Sequence, residues 1–158
     1  MMIGRRLRAL ALLPALLGLA ACGGGYDGAV QCAPYARSVT GLRLSGAAAG
    51  WWRQSNGVYA HAQSPRSGDV LVFRATSRMP SGHVSVVRRV VGARTVLVDQ
   101  ANWRPGRVEH GVPVIDVSRR NDWTAVRVWW GPIDGIGTRV YPTYGFIEPV
   151  AAQLAGLS

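Results

Sequence analysis

The sequence predicts an α+β fold, with helices at the front of the chain packed on one face of an antiparallel β-sheet. Three observations carry this. Helical signals cluster early in the chain, and Val-rich strand signals follow them in one block. Twenty Gly and nine Pro in 158 residues punctuate the chain too often for a helical bundle. Apolar residues make up 48% of the chain and charged residues 16%, which supports a packed core and excludes a disordered chain.

Residues 1–22 read as an address rather than as part of that fold. Arg5, Arg6 and Arg8 precede an apolar run over residues 9–21, short of the roughly 20 residues a membrane-spanning helix needs. The run ends Leu19-Ala20-Ala21-Cys22 and is followed by three Gly. Small residues before a Cys resemble the bacterial lipoprotein signal, in which Cys22 is lipidated and becomes the mature N-terminus. An ordinary secretory signal cut near the same alanines is the alternative. Both readings take the protein out of the cytoplasm. Gly23 supplies no Asp retention signal, so the periplasmic face of the outer membrane is the expected place in the cell envelope.

The body then divides into a tether at 23–30, a domain at 31–131 and a C-terminal arm at 132–158 packed on it. Ala33-Pro34 puts a proline in a first turn, where its missing N–H costs nothing, and predicts a helix over 32–44. A second, shorter helix is expected over 47–54 (AAAGWWRQ), closed by Ser55-Asn56-Gly57. Beyond Pro65-Arg66-Ser67-Gly68 the period becomes that of strands, at 69–74, 83–91 and 95–101, with a hairpin connection at Val91-Gly92-Ala93-Arg94. Residues 114–117 and 125–130 add two more strands. From residue 131 onward Gly, Pro and Tyr recur, and an irregular arm with a last short helix is expected.

Charge and cysteine content narrow the chemistry. Every one of the 18 basic residues is Arg. Without the leader, 15 Arg face 8 acids, a balance that suits anionic surfaces such as cell wall or lipid headgroups. The cations are scattered singly or in pairs, so no nucleic-acid partner is expected. Two Cys are too few for a disulfide scaffold or a four-Cys zinc site, and His61, His83 and His110 lack metal-motif spacing. No metal and no cofactor is expected, and the protein is expected to be a monomer. The six Trp are assigned mainly to packing, with one or two left for the walls of a groove.

One constellation carries chemistry. A thiol at the start of a helix, as Cys32 is, meets outward-pointing N–H groups that lower its pKa and can hold an oxyanion. A thiolate that attacks an amide also needs a proton carrier for the leaving amine. His83, opening a strand behind Pro80-Ser81-Gly82, is the best placed of the three histidines. The next strand ends Asp99-Gln100-Ala101-Asn102-Trp103. Strand parity puts Gln100 and Asn102 on one face and Asp99 on the other, so a polar group on the His83 face can fix the ring's tautomer. Asn102 is favoured for that third role, with Gln100 and Asp99 as alternatives. His61 and His110 receive no role.

Four segments in this order resemble the CHAP domain, the cysteine- and histidine-dependent amidohydrolase/peptidase. They are Gln31-Cys32-Ala33-Pro34-Tyr35-Ala36-Arg37, Pro65 through Phe73, Gly82-His83-Val84-Ser85-Val86-Val87, and Asp99-Gln100-Ala101-Asn102-Trp103. The resemblance implies a papain-like fold over about residues 30–131, Cys32 as nucleophile, His83 as general base and acid, and peptidoglycan amides as substrate. Many relatives carry Glu-x-Asn as the third element, which aligns Gln100 with the Glu and Asn102 with the Asn. The carboxylate is therefore missing from its matching position. A non-catalytic wall-binding lipoprotein of the same fold, and amide chemistry on a small molecule, are the competing expectations.

Overall fold

The computed structural model describes residues 30–150. The leader, Cys22, the tether through residue 29 and the last short helix expected of the arm lie outside the described residues. Among the described residues the fold is mixed and mostly strands, with two short helices and a six-stranded barrel. Helix α1 (Cys32–Thr40) ends earlier than the sequence predicts, because Gly41 takes a left-handed φ of 72° and returns its N–H to Arg37 O at 2.9 Å. Leu42 and Leu44, expected inside the helix, follow that turn and are buried instead. A 3-10 turn over Ala48–Gly50 runs into α2 (Trp51–Gln54), where the second helix was expected.

The strands are β1 (Ala60–Ala62), β2 (Val70–Phe73), β3 (His83–Gly92), β4 (Thr95–Ala101), β5 (Val108–Asp116), β6 (Ala125–Trp130), β7 (Gly135–Ile136) and β8 (Tyr141–Glu148). From β2 to β6 each strand pairs antiparallel with the next, as the expected meander does. The meander does not stay open. Strand β8 lies between β1 and β2 and also pairs with β6 through Ala125↔Pro142 and Val126↔Tyr141, which closes the barrel.

The expectation of an irregular arm from residue 131 is thereby corrected: its residues 141–148 are a barrel strand. Its Pro and Gly, read as loop signals, have strand positions here. Pro142 opens the pairing with β6, and Gly145, at φ 121°, stands beside a register shift against β2. A Cβ on Gly145 would fall 2.6 Å from Ala62 O, so only glycine lets β1 approach.

Two apolar clusters meet at β2, which is buried on both faces. Val70 and Val72 share one cluster with Ala33 and Ala36 of α1, Trp51 of α2, and Val84 and Val86 of β3. Leu71 and Phe73 point the other way, to Val87, Val96, Val98, Val126, Trp123 and Phe146. Burying this much aliphatic surface at ~25 cal/mol per Å² is the main force holding the front of α1 against the start of β3.

Candidate active site

Cys32 is the first residue of α1 and His83 the first residue of β3. Ala33 and Ala36, one turn apart, sink the inner face of α1 into the core and leave Cys32 half-buried at the tip. The chain enters β3 through Gly82, at φ 64°, where a Cβ would stand 2.8 Å from Ala49 N. That close approach, with Ala49 N–H donating to Ser81 O at 2.8 Å, pins the start of β3 to the 3-10 turn. Both side chains line a groove of about 650 Å³. Gln31, Asn102 and Trp103 complete the near wall; the loop at 76–82, Trp130, and residues 139–142 at the start of β8 form the rest. Part of the groove therefore belongs to the segment expected to be an irregular arm.

The imidazole of His83 is almost fully enclosed, with 4% of the residue exposed. Phe73 meets it edge-on at 5.2 Å and Trp103 lies 4.9 Å away, between His83 and Tyr141. Its Nε2 is 3.2 Å from Gln100 Oε1, and Ser85 Oγ donates to the same oxygen at 3.0 Å. The Gln100 amide nitrogen donates in turn to Glu109 Oε2 at 3.3 Å. A carboxamide oxygen only accepts, so the ring carries its proton on Nε2 and leaves the Nδ1 lone pair free. Burial pushes His83 down to about 4, against the opposing pull of the Gln100 hydrogen bond.

The expected lowering of the Cys32 pKa is not what this environment produces. Burial raises the thiol above its ordinary value, and the backbone amides of Val84, Ala33 and Cys32 itself offset that rise only in part. Desolvation outweighs the dipole of a helix only nine residues long. Thiol and imidazole thus rest uncharged at neutral pH.

The polar group on the ring is Gln100, not Asn102. Strand β4 stops at Ala101, and Asn102 turns left-handed at φ 59°. Parity no longer applies there: its amide nitrogen donates to Gln31 Oε1 at 3.0 Å and its oxygen accepts from Gly106 N–H at 2.9 Å. Asp99 lies on the opposite face, as parity predicts, held by Arg88, His110 and the Gly111 N–H. Trp51 and Trp123 are core residues, while Trp103 and Trp130 line the groove. Glu109 was missed altogether; a Gly two residues on, at Gly111, is the one local sign that β5 is kinked there.

No curated protein matches the chain. A family model described as the CHAP domain matches residues 22–102, just over half of its length. The match takes in Cys32, His83 and Gln100 and stops before β5. With a thiol at a helix start, a histidine at a strand start and a match spanning both, the chain belongs to the CHAP domain family, whose members are generally hydrolase domains associated with peptidoglycan.

Proposed function

We propose that this protein is an exported cysteine amidohydrolase or endopeptidase that cleaves amide bonds of peptidoglycan, anchored in the cell envelope through lipid on Cys22. The observation that carries it is the meeting of Cys32 and His83 in one groove, with the far nitrogen of the ring held by Gln100. In the reaction, His83 Nδ1 takes the thiol proton as Cys32 Sγ attacks the amide carbonyl. The N–H groups at the start of α1 face the developing oxyanion. The imidazolium then gives its proton to the leaving amine, and water hydrolyses the thioester with His83 again as base.

Starting from an uncharged pair suits general-base attack, in which the proton leaves sulfur only as the carbonyl is engaged. The groove's charged lining residues are Arg78 and Arg139, with no acid among them, which favours a carboxylate-bearing peptide. The envelope location rests on Arg5, Arg6, Arg8 and Leu19-Ala20-Ala21-Cys22.

A second reading, a wall-binding lipoprotein without turnover, draws on the same burial, since both groups are shifted away from a thiolate–imidazolium pair. Digestion of purified sacculi separates the two. Wild-type protein is expected to release peptide fragments with new amine and carboxyl ends, identified by mass spectrometry, and Cys32→Ala to release none. Wild-type protein that sediments with sacculi and cuts nothing would replace the first reading with the second.

A further inference from the structure

We propose that Glu109 is a positioning residue of this site: its carboxylate fixes which way round the Gln100 amide stands, and through it the tautomer of His83. The kinetic part of this proposal rests on the amidohydrolase reading above; the tautomer part does not.

Gln100 is wholly buried, and its amide has two possible orientations. Neither of its two inner neighbours selects one. The Ser85 hydroxyl can donate or accept, and so can a neutral imidazole nitrogen. Only Glu109 has a fixed sign, because a carboxylate accepts and does not donate. A reversed amide would set a carbonyl oxygen against that carboxylate across 3.3 Å and turn an NH2 group toward the ring. His83 would then have to accept at Nε2 and carry its proton on Nδ1, the nitrogen that must take the thiol proton. With Glu109 in place the amide nitrogen faces outward, its oxygen faces His83 and Ser85, and Nδ1 stays free.

A bulge puts Glu109 there. Strands β4 and β5 pair Val98 with Val112, then Gln100 with Glu109, so β5 carries one extra residue between them. An unbroken ladder would set His110 opposite Gln100. Gly111, at φ 62°, takes up the extra residue, and His110 swings to the outer face, where its Nδ1 meets Asp99 Oδ2 at 3.2 Å. The carboxylate absent from position 100 is thus supplied at one remove, by a strand that lies outside the matched residues 22–102.

The test uses the full mature domain, 15N-labelled, with Glu109→Gln and the exchange variant Gln100→Glu/Glu109→Gln. Long-range 15N–1H correlation reads the tautomer of His83 directly, whether or not a substrate is turned over. Wild type is expected to show a single Nε2–H ring. Glu109→Gln, equal in size but able to donate or accept, should show a mixture of tautomers and lose roughly tenfold to a hundredfold in kcat on a peptide amide, with KM within about twofold, as expected for loss of an orienting partner. The exchange variant puts an acceptor-only group directly on the ring, and should restore the single Nε2–H form and most of kcat. A Glu109→Gln ring that stays wholly Nε2–H, with kcat within about twofold of wild type, would overturn the proposal. A tautomer shift in a protein that cleaves no amide would leave the positioning role standing and remove the hydrolase reading instead.

Discussion

Two histidines of this chain are built from the same parts, and the way those parts are turned separates the proposed reactive site from a stacked cluster elsewhere in the fold. His83 and His61 each have a tryptophan neighbour, a tyrosine of β8 beyond it, and a buried hydrogen-bond partner on Nε2. His61 lies flat on Trp52, with ring centres 3.8 Å apart and 21° between planes, and Trp52 lies flat on Tyr144. The Arg74 guanidinium covers Tyr144 at 4.1 Å, and Ser55 Oγ is 2.7 Å from His61 Nε2. The rings stack face on face and join α2, β1 and β8. Around His83 the contacts are tilted or edge-on, Trp103 at 55° and Phe73 at 72°, so the ring is wedged rather than covered. Wedging fixes orientation and leaves one edge toward the groove; stacking commits a face of His61, and both faces of Trp52, to holding α2, β1 and β8 together.

The largest expected effect breaks that comparison most directly. His83→Ala should lower kcat by about a thousandfold or more, as loss of a general base does. His61→Ala should leave kcat within about twofold and instead cost about 1 kcal/mol of stability, through the lost Ser55 hydrogen bond. Assays of fragment release beside urea denaturation check both. Equal losses of activity would mean that the stacked cluster also serves the chemistry.

A second difference is burial, and it sharpens the comparison through pH. His83 has a pKa of about 4 in the fold against 6.5 when unperturbed, so the unfolded chain takes up its proton first as pH falls. Its contribution is present above pH 6.5 and is lost as pH falls toward 4, a change of about 3 kcal/mol. Asp69 runs the opposite way in almost the same window. Burial, with Oδ1 lacking a partner, pushes it up to about 6 from 3.8, so the folded state holds its proton first and stability falls as pH rises through that range, again by about 3 kcal/mol. Between pH 4 and 6 the two slopes oppose each other, and His61, which burial also lowers, adds to the His83 slope. His83→Gln should expose the Asp69 slope, with stability falling as pH rises, and Asp69→Asn the reverse. Urea midpoints at pH 4.5 and 6.5 read each slope. Burial lowers His61 in the same direction, so the test is the size of the change: a His83→Gln protein whose pH dependence matches wild type would mean that the enclosed ring carries none of the slope.

What the sequence discloses about these two regions follows the range of the forces involved. Cys32 and His83 are legible because their positions are set by near neighbours, Ala33-Pro34 at the helix start and Pro80-Ser81-Gly82 before the strand. The limits of β4 and β6 are legible for the same reason, and parity within β4 places Asp99 and Gln100 on opposite faces, as observed. Parity fails one residue past the strand, at Asn102, because an αL residue turns the side chain out of the alternation. Strand β8 is hidden by Pro142 and Gly145, whose roles exist only once β6, β1 and β2 are beside them. Glu109 is hidden by a bulge that changes its partner across the sheet. The thiol pKa is misjudged because the helix end is visible in the sequence and the desolvation around it is not.

The smallest expected effect concerns Asn102 and tests whether His83 depends on Gln100 alone. Its side chain bridges Gln31, beside Cys32, and Gly106 in the β4–β5 loop, without touching the ring. Asn102→Ala removes both hydrogen bonds and places an alanine at φ 59°, a region that disfavours a Cβ. The expected cost is about 1 kcal/mol of stability and less than roughly tenfold in kcat, through a looser Gln31 at the groove wall. Asn102→Gly tolerates the backbone without strain and should recover part of the stability but none of the bridge. The His83 ring signals should stay in place in both variants, because Gln100, Ser85 and Glu109 are untouched. A hundredfold loss in Asn102→Ala together with a displaced Nε2–H signal would put Asn102 on the ring in solution, and His83 would then be held from the loop, as His61 is held by Ser55 beyond the end of α2.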